Sequence, residues 1–408
     1  MKVLHEAASG AILNRPTAIL LVLSLAACGD PAFRKTVPEH STASVEADLR
    51  IDPDSADLSP IGVMLVARDG RILVTQTQDG QIRVFGPDGA SLGSLGRPGE
   101  GPGEFSRLTR IGWIGDSIWA LDPGLGRITI FDPDTGLVRS FTSPGTRAQG
   151  ASDGNPLAIF VQAVLPDGSL RTLVAVPKGV TPPDWAADVD SGSNHYVRFA
   201  QDGEVIRRVA VQAPDQCERT FAIGTSGVGS LRIPLCPSPL SNDWDGAVTD
   251  FLAFAEVVPG ADLDQTSYRV AMLRYDGDTV FVREFPYQPL PVTDSIRDSV
   301  LERVNKSMEG MPPAYVSARP SYEMPTTLPP LRRLLIGRDS TLWLEEEDVA
   351  PEHRWKVLDL RGDPVGVVTV PAAVRLLVAQ RDMVWGAETD ENDLEGIVRM
   401  RVSLNQEE

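Results

Sequence analysis

Three arginine–acid spacings are the features of this sequence that most directly invite chemistry. Three residues beyond a repeated Trp stands an acid each time: Asp122 after Trp119, Glu346 after Trp343, Glu388 after Trp385. An arginine precedes each acid, Arg110, Arg333 and Arg375, at separations of 12, 13 and 13 residues. On two antiparallel strands joined by a short turn, that spacing returns the acid to the end where the arginine began. Three hairpins are therefore expected to carry an Arg–carboxylate pair at one rim. Such pairs serve as ion pairs and turn caps, contributing about 0–1 kcal/mol each. Alternatively they form a polar funnel whose guanidinium forks hold a carboxylate, sulfate or sugar acid.

No complete catalytic motif accompanies them, so no catalytic residue is assigned. His40, His195 and His353 have no ligand-like spacing, and no H-E-x-x-H occurs. With three Cys and four His, a His/Cys metal centre is not expected. The Gly run 96–103 lacks the G-x-x-x-x-G-K-[ST] pattern and no helix pattern follows it, so it reads as a mobile connection rather than a phosphate cradle. Trp113, Trp119, Trp343 and Trp385 read as packing residues rather than sugar-stacking platforms.

A repeat positions these residues. Ile82-Arg-Val-Phe85 runs into Asp88-Gly89, and Ile128-Thr-Ile-Phe131 into Asp132-Pro-Asp-Thr-Gly136, with the two Phe 46 residues apart. Tyr196–Phe199, Val270–Leu273, Trp355–Leu358 and Ile397–Met400 repeat the pattern, making six copies. A second strand precedes most of them, as in Ser117-Ile-Trp119 and Thr341-Leu-Trp343. Short alternating strands with turn signals, recurring about every 40–45 residues, describe propeller blades. The expectation is all-β: a six-bladed β-propeller over 43–408, with blades near 57–98, 107–145, 155–213, 220–287, 328–370 and 371–404. The last blade has three clear strands of its own, and residues 43–51 alternate, so an N-terminal strand is expected to close it. Thr293 to Met308 carries Ile296, Val300, Leu301, Val304 and Met308 on one helical face, with Thr293 as N-cap. A Pro-rich run follows, and the whole, about 288–327, is an expected insertion. Its apolar face packs on the propeller, or it forms a lid.

The N-terminus reads as targeting. Lys2 and Arg15 precede the apolar stretch Thr17 to Ala27, which is short for a membrane span. Leu25-Ala-Ala-Cys28 resembles the lipobox of bacterial lipoproteins. That resemblance implies a signal peptide over 1–27, lipidation at Cys28 and a tether over 28–42. It places the protein in a bacterial cell envelope, on a periplasmic membrane face or the cell surface, touching membrane only through lipid. Cys217 and Cys236 are then an expected disulfide of an oxidising compartment.

Gly99-Glu-Gly-Pro-Gly-Glu-Phe105, Ile111 to Asp122 and Arg127-Ile-Thr-Ile-Phe-Asp132 together are similar to an NHL repeat. With the lipobox, the chain resembles six-bladed β-propeller lipoproteins of the NHL-repeat-like group. That resemblance implies a fold and a location but no single activity.

The formal charge is −18, from 56 acidic and 38 basic residues, which argues against nucleic acid or an anionic membrane surface as main partner. The leading expectation is a scaffold that binds an envelope protein, a polar or anionic small molecule or a glycan, with no cofactor. The second is a Ca²⁺-dependent propeller enzyme of lactonase or lyase type.

Overall fold

The computed structural model describes residues 42–58, 60–143, 157–176, 181–188, 192–212, 217–223, 227–242, 250–258, 266–311, 324–347 and 352–403. The expected signal segment 1–27, the lipid site Cys28 and the tether up to residue 41 lie outside the described residues.

The alternating segments become strands, and the strands assemble into six four-stranded blades. Strand β1 (Thr42–Ile51) stands before the first blade. Blade 1 is β2 (Met64–Val66), β3 (Ile72–Gln76), β4 (Gln81–Phe85) and β5 (Ser91–Leu95). A short parallel pair, β6 (Arg97–Pro98) and β7 (Glu104–Phe105), lies in the connection to blade 2. Blade 2 is β8 (Arg110–Ile114), β9 (Ser117–Asp122), β10 (Arg127–Asp132) and β11 (Gly136–Thr142). Blade 3 is β12 (Ala158–Val164), β13 (Leu170–Ala175), β14 (Asn194–Phe199) and β15 (Val205–Gln212). A separate hairpin, β16 (Glu218–Ile223) and β17 (Gly227–Arg232), follows. Blade 4 is β18 (Leu240–Ser241), β19 (Phe251–Val258), β20 (Ser267–Arg274) and β21 (Thr279–Pro286). Blade 5 is β22 (Leu331–Ile336), β23 (Leu342–Glu346), β24 (Glu352–Leu358) and β25 (Pro364–Pro371). Blade 6 is β26 (Val374–Gln380), β27 (Met383–Thr389), β28 (Glu395–Val402) and, as its fourth strand, β1.

All six repeated segments are third strands: β4, β10, β14, β20, β24 and β28. Their alternation fits a layer packed on both sides, and the following Asp-Gly turns need a backbone that only Gly adopts easily. Gly89, Gly203 and Gly277 have φ of 86°, 94° and 94°. First strands neighbour one another around the axis: β2 touches β8 and β26, β12 touches β8, and β22 touches β18 and β26. The blade-to-blade layers hold the core, with Trp119, Trp343 and Trp355 almost wholly buried.

Closure comes from β1. It runs antiparallel to β28, from Val45 opposite Val402 to Ile51 opposite Ile397. Its first residues pair in parallel with β25 of blade 5, Thr42 opposite Val367. Ala43 is buried in one cluster with Trp343, Trp355 and Val398. One strand thus covers the open edge of blade 6 and clasps blade 5.

The fourth blade departs from the sequence expectation. It was expected to begin near residue 220, but its first strand is Leu240–Ser241, and 218–232 stands apart as a hairpin. Cys217 and Cys236 flank that hairpin and are joined as a disulfide, with Cα atoms 5.6 Å apart. Ile233 N–H also donates to Cys217 O at 2.7 Å, so the hairpin base is closed twice. Among the described residues of the insertion is a helix, Asp294–Ser307, capped by Thr293 Oγ1, which accepts from Ile296 N–H at 3.3 Å. Its buried residue is Val300, and Met308 at its end is also buried, so the stripe read from spacing is the inward face. Leu328 N–H to Leu290 O, 2.7 Å, closes the insertion's base.

In each blade the turns joining strands one to two and three to four lie on one face of the disc. The blade-to-blade connections and the second-to-third turns lie on the other. These are called the turn face and the connector face below.

Candidate functional site

The expected rim residues lie on the connector face, but the register separates the pairs. Arg110 stands opposite Leu121, Arg333 opposite Glu345, and Arg375 opposite Ala387. Residues opposite each other project to one side of a sheet and the next residue to the other. Each arginine is therefore on the wrong side of its strand to meet the acid expected for it. Asp122, fully buried, accepts instead from backbone N–H of Ser106 (2.7 Å), Arg107 (3.0 Å) and Leu125 (2.9 Å). Glu346 meets Lys356 Nζ at 2.5 Å and Arg354 Nε at 3.8 Å. Glu388 meets Arg50 Nε at 2.7 Å.

The arginines reach the next blade. Arg110 of blade 2 donates to Gln162 Oε1 of blade 3. Arg333 Nη2 of blade 5 donates to Leu376 O of blade 6 at 2.8 Å, and its guanidinium lies 5.6 Å from the Trp355 ring centroid. Arg375 Nη2 of blade 6 donates to Ile61 O, beside blade 1, and to Glu395 Oε1, both at 2.8 Å. The other boundaries are crossed likewise. Arg71 Nη1 of blade 1 meets Asp134 Oδ1 of blade 2 at 2.6 Å. Arg171 Nη1 of blade 3 donates to Phe251 O of blade 4 at 2.6 Å. Lys356 Nζ of blade 5 donates to Tyr268 Oη of blade 4 at 2.9 Å. A basic side chain thus spans each of the six boundaries. The pattern read from the sequence as a ligand rim is, at the residues it named, largely a set of inter-blade clamps.

The Gly run 96–103 is a pinned connection. Glu104 Oε2 accepts from Gly101 N–H at 2.8 Å, and Arg127 donates to Gly101 O and Glu104 O at 2.9 and 2.6 Å. The segment is the blade-to-blade connection expected from the sequence, and Glu104 and Arg127 hydrogen-bond its backbone.

The turn face carries a depression of about 450 Å³ at the mouth of the axis. First turns of blades 1, 2, 4 and 5 meet there, bringing Arg68, Arg71, Asp116, Asp250 and Arg338, with Trp113, Asp132 and Asp134 alongside. Arg71 holds Asp69 at 2.7 Å as well as Asp134. Asp132 accepts from the N–H groups of Asp134 and Thr135, which with Arg71 hold its carboxyl below the usual value.

Arg338 is the unusual member. Its turn is fixed on blade 6: Arg338 N–H donates to Ala379 O at 2.8 Å, and Asp339 Oδ2 accepts from Arg381 N–H at 3.0 Å. Its side chain donates to Ala67 O (3.1 Å) and Gln380 Oε1 (3.2 Å) and lies 5.7 Å from the Trp385 ring centroid. Burial holds its guanidinium below the ordinary value, opposed only by Asp339. Sequence reasoning missed it. The visible signal was an Arg-Asp dipeptide in the first turns of three blades, at 68–69, 338–339 and 381–382. Arg68 and Arg381 are exposed at the same turn position, whereas Arg338 is half-buried at the mouth. Trp119, Trp343 and Trp385 are core residues, whereas Trp113 is half-buried and walls the depression.

A smaller cavity, about 290 Å³, lies between blades 4 and 5 on the connector face, under Tyr287, Leu290, Pro329 and Pro330. Lys356 sits in its wall. Burial, which would lower its pKa, is outweighed by Tyr268 and Glu346, so the ammonium is held above its usual value. Burial pushes the Tyr268 hydroxyl up.

A Ca²⁺ site needs six to eight converging oxygen ligands. Among the described residues no group of three or more His, Cys, Asp or Glu is so placed. Of the acids at the mouth, Asp69 and Asp134 are held by Arg71 and Asp132 by its own turn. These residues do not fit Ca²⁺, and no step through it is derived. His195 is wholly buried against Trp185, ring centroids 5.4 Å apart, and neither ring nitrogen has a hydrogen-bond partner. His353 Nδ1 lies 2.8 Å from Glu345 Oε1.

Blade count, closure and topology define the class: the chain is a six-bladed β-propeller. Residues 53–143 match the model of a family, DUF5128, described as a 6-bladed beta-propeller. No curated protein matches the chain. Among solved structures it is similar to a putative exported protein from Bacteroides fragilis, at 11% identity over 90% of this chain and 99% of that one, TM-score 0.44. A member of the duf4221 family from Bacteroides vulgatus shows 10% identity over 89% and 99%, TM-score 0.47. A virginiamycin B lyase from Staphylococcus aureus shows 12% identity over 86% and 98%, TM-score 0.40. Likenesses of this depth bear on neither activity nor ligand.

Proposed function

We propose that this propeller is a lipid-anchored protein of a bacterial envelope that binds a polar small molecule at the mouth on its turn face. One observation carries the reading: four blades converge on a depression lined by Arg338, whose guanidinium forms no ion pair with a carboxylate among the described residues. Sites of this kind are concave, few, and oriented by one or two polar groups on rigid elements. Leu25-Ala-Ala-Cys28 supports the anchor, through its likeness to a lipobox, and the disulfide Cys217–Cys236 suits an oxidising compartment.

The strand β1 also orients the molecule. Val45 pairs with Val402, whose N–H donates to Asp382 O in the first turn of blade 6, so β1 starts at the turn face. Thr42, the first described residue, therefore stands on the strand that begins at the side of the mouth. A thermal-shift screen of polar metabolites and glycans, run in parallel on the protein and on Arg338→Gln, tests the site. Stabilising compounds are expected, and the substitution is expected to abolish their effect. Compounds that stabilise both proteins equally contradict the assignment of the mouth. Cys28→Ala is expected to move the protein from membrane to aqueous fractions.

A further inference from the structure

We propose that the ligand of the axial mouth is zwitterionic, an amino acid or short peptide whose carboxylate is held by Arg338 and whose ammonium is held by Asp250. The proposal rests on the binding reading above and adds the chemistry of what is bound.

The donor count comes first. A guanidinium has five N–H groups. Arg338 spends one on Ala67 O and one on Gln380 Oε1, which leaves three. Among the described residues no carboxylate forms an ion pair with it. A carboxylate suits the remaining donors, since it is the group that best matches a guanidinium in charge and in hydrogen-bond geometry. Its turn is hydrogen-bonded to blade 6 from both Arg338 and Asp339, so the fork is held in place before a ligand arrives.

A simple anion does not suit the mouth. Among the described residues that line it, Asp69, Asp116, Asp132, Asp134 and Asp250 stand against Arg68, Arg71 and Arg338, an excess of two negative charges. Two of these acids are matched by Arg71 and one by its own turn. Asp116 lies 4.0 Å from Arg68, both fully exposed. Asp250, exposed on the first turn of the blade adjoining that of Arg338, has no side-chain hydrogen bond or ion pair among the described residues. A cation alone would leave Arg338 unmatched, and an anion alone would face Asp250. A molecule bearing both charges satisfies both. Trp113 supplies the apolar wall for the carbon skeleton between them, and a depression of about 450 Å³ lies within the range of small-ligand sites.

The probe is trialanine, measured by titration calorimetry on the full chain in detergent beside its N-acetyl and C-amide forms. Trialanine is expected to bind, and each blocked form to bind at least about tenfold more weakly, since each loses a charge-assisted contact. Arg338→Gln should behave towards trialanine as the amide does towards the unaltered protein. Asp250→Asn should mimic the N-acetyl form, and it serves if Arg338→Gln fails to fold. Arg381→Gln, whose guanidinium is exposed, should bind trialanine unchanged. Equal binding of all three peptides, unchanged binding by both site variants, or no heat at about 10 mM trialanine overturns the proposal. If a metabolite from the screen is still lost with Arg338→Gln, the binding propeller survives and the zwitterion does not. If nothing depends on Arg338, both fall.

Discussion

His195 shows how one buried side chain sets the acid tolerance of a blade. Desolvation lowers its pKa from 6.5 to about 4, with Arg208 adding to the shift and Asp188 opposing it. The unfolded chain therefore binds a proton between these values that the folded chain refuses. A lowered histidine pKa makes folding more favourable above the unfolded value and less so below it. Stability should fall as pH drops from about 6.5 to 4, by roughly 3 kcal/mol at the limit. Urea midpoints at pH 7.5 and 4.5 check this, and His195→Leu should remove much of the difference. The clamp arginines call for a different test. Arg375 is part-exposed and bonds Ile61 O and Glu395, so Arg375→Ala should cost about 1 kcal/mol of stability. It should leave ligand binding at the mouth unaffected, because it lies on the opposite face.

At the scale of elements, the strands and their order of pairing were legible and their register was not. Ile82–Phe85 and Ile128–Phe131 announce third strands because a period of two and a following turn are properties of consecutive residues. Thr293 announces the helix start for the same local reason. Whether Arg375 meets Glu388 or Ala387 depends on one residue of register, with a bulge between Leu376 and Val378, and no local pattern encodes it. Arg338 was hidden for another reason. Its turn resembles those of Arg68 and Arg381, and only the closed ring decides which guanidinium faces inward. Two elements yield predictions. Deleting 42–51 strips blade 6 of its fourth strand and blade 5 of its clasp, so unfolding should lose cooperativity and aggregation should rise. The disulfide closes a separation of 19 residues, for which chain entropy gives about 3 kcal/mol. Because its hairpin is outside the blades, reduction should increase hydrogen exchange in 217–236 and leave the main thermal transition nearly in place.

As a whole molecule, the protein divides its charge between two tasks. Basic side chains cross the blade boundaries, where each satisfies a carbonyl, amide, hydroxyl or carboxylate of a neighbour and fixes the ring. Arg338 does this too, through Ala67 O and Gln380, and retains free donors at the axis. The −18 of the chain is thus not a diffuse property: some acids are caps for turns, some are partners for clamps, and Asp250 has no side-chain partner among the described residues. The central claim is that the mouth on the turn face is where this propeller meets its ligand. Hydrogen–deuterium exchange with and without trialanine tests it most directly. Protection is expected at the first turns around 67–71, 115–117 and 337–341, and to vanish in Arg338→Gln. Protection centred on the connector face, at 97–107 or 286–292, or none at saturating peptide, would contradict it.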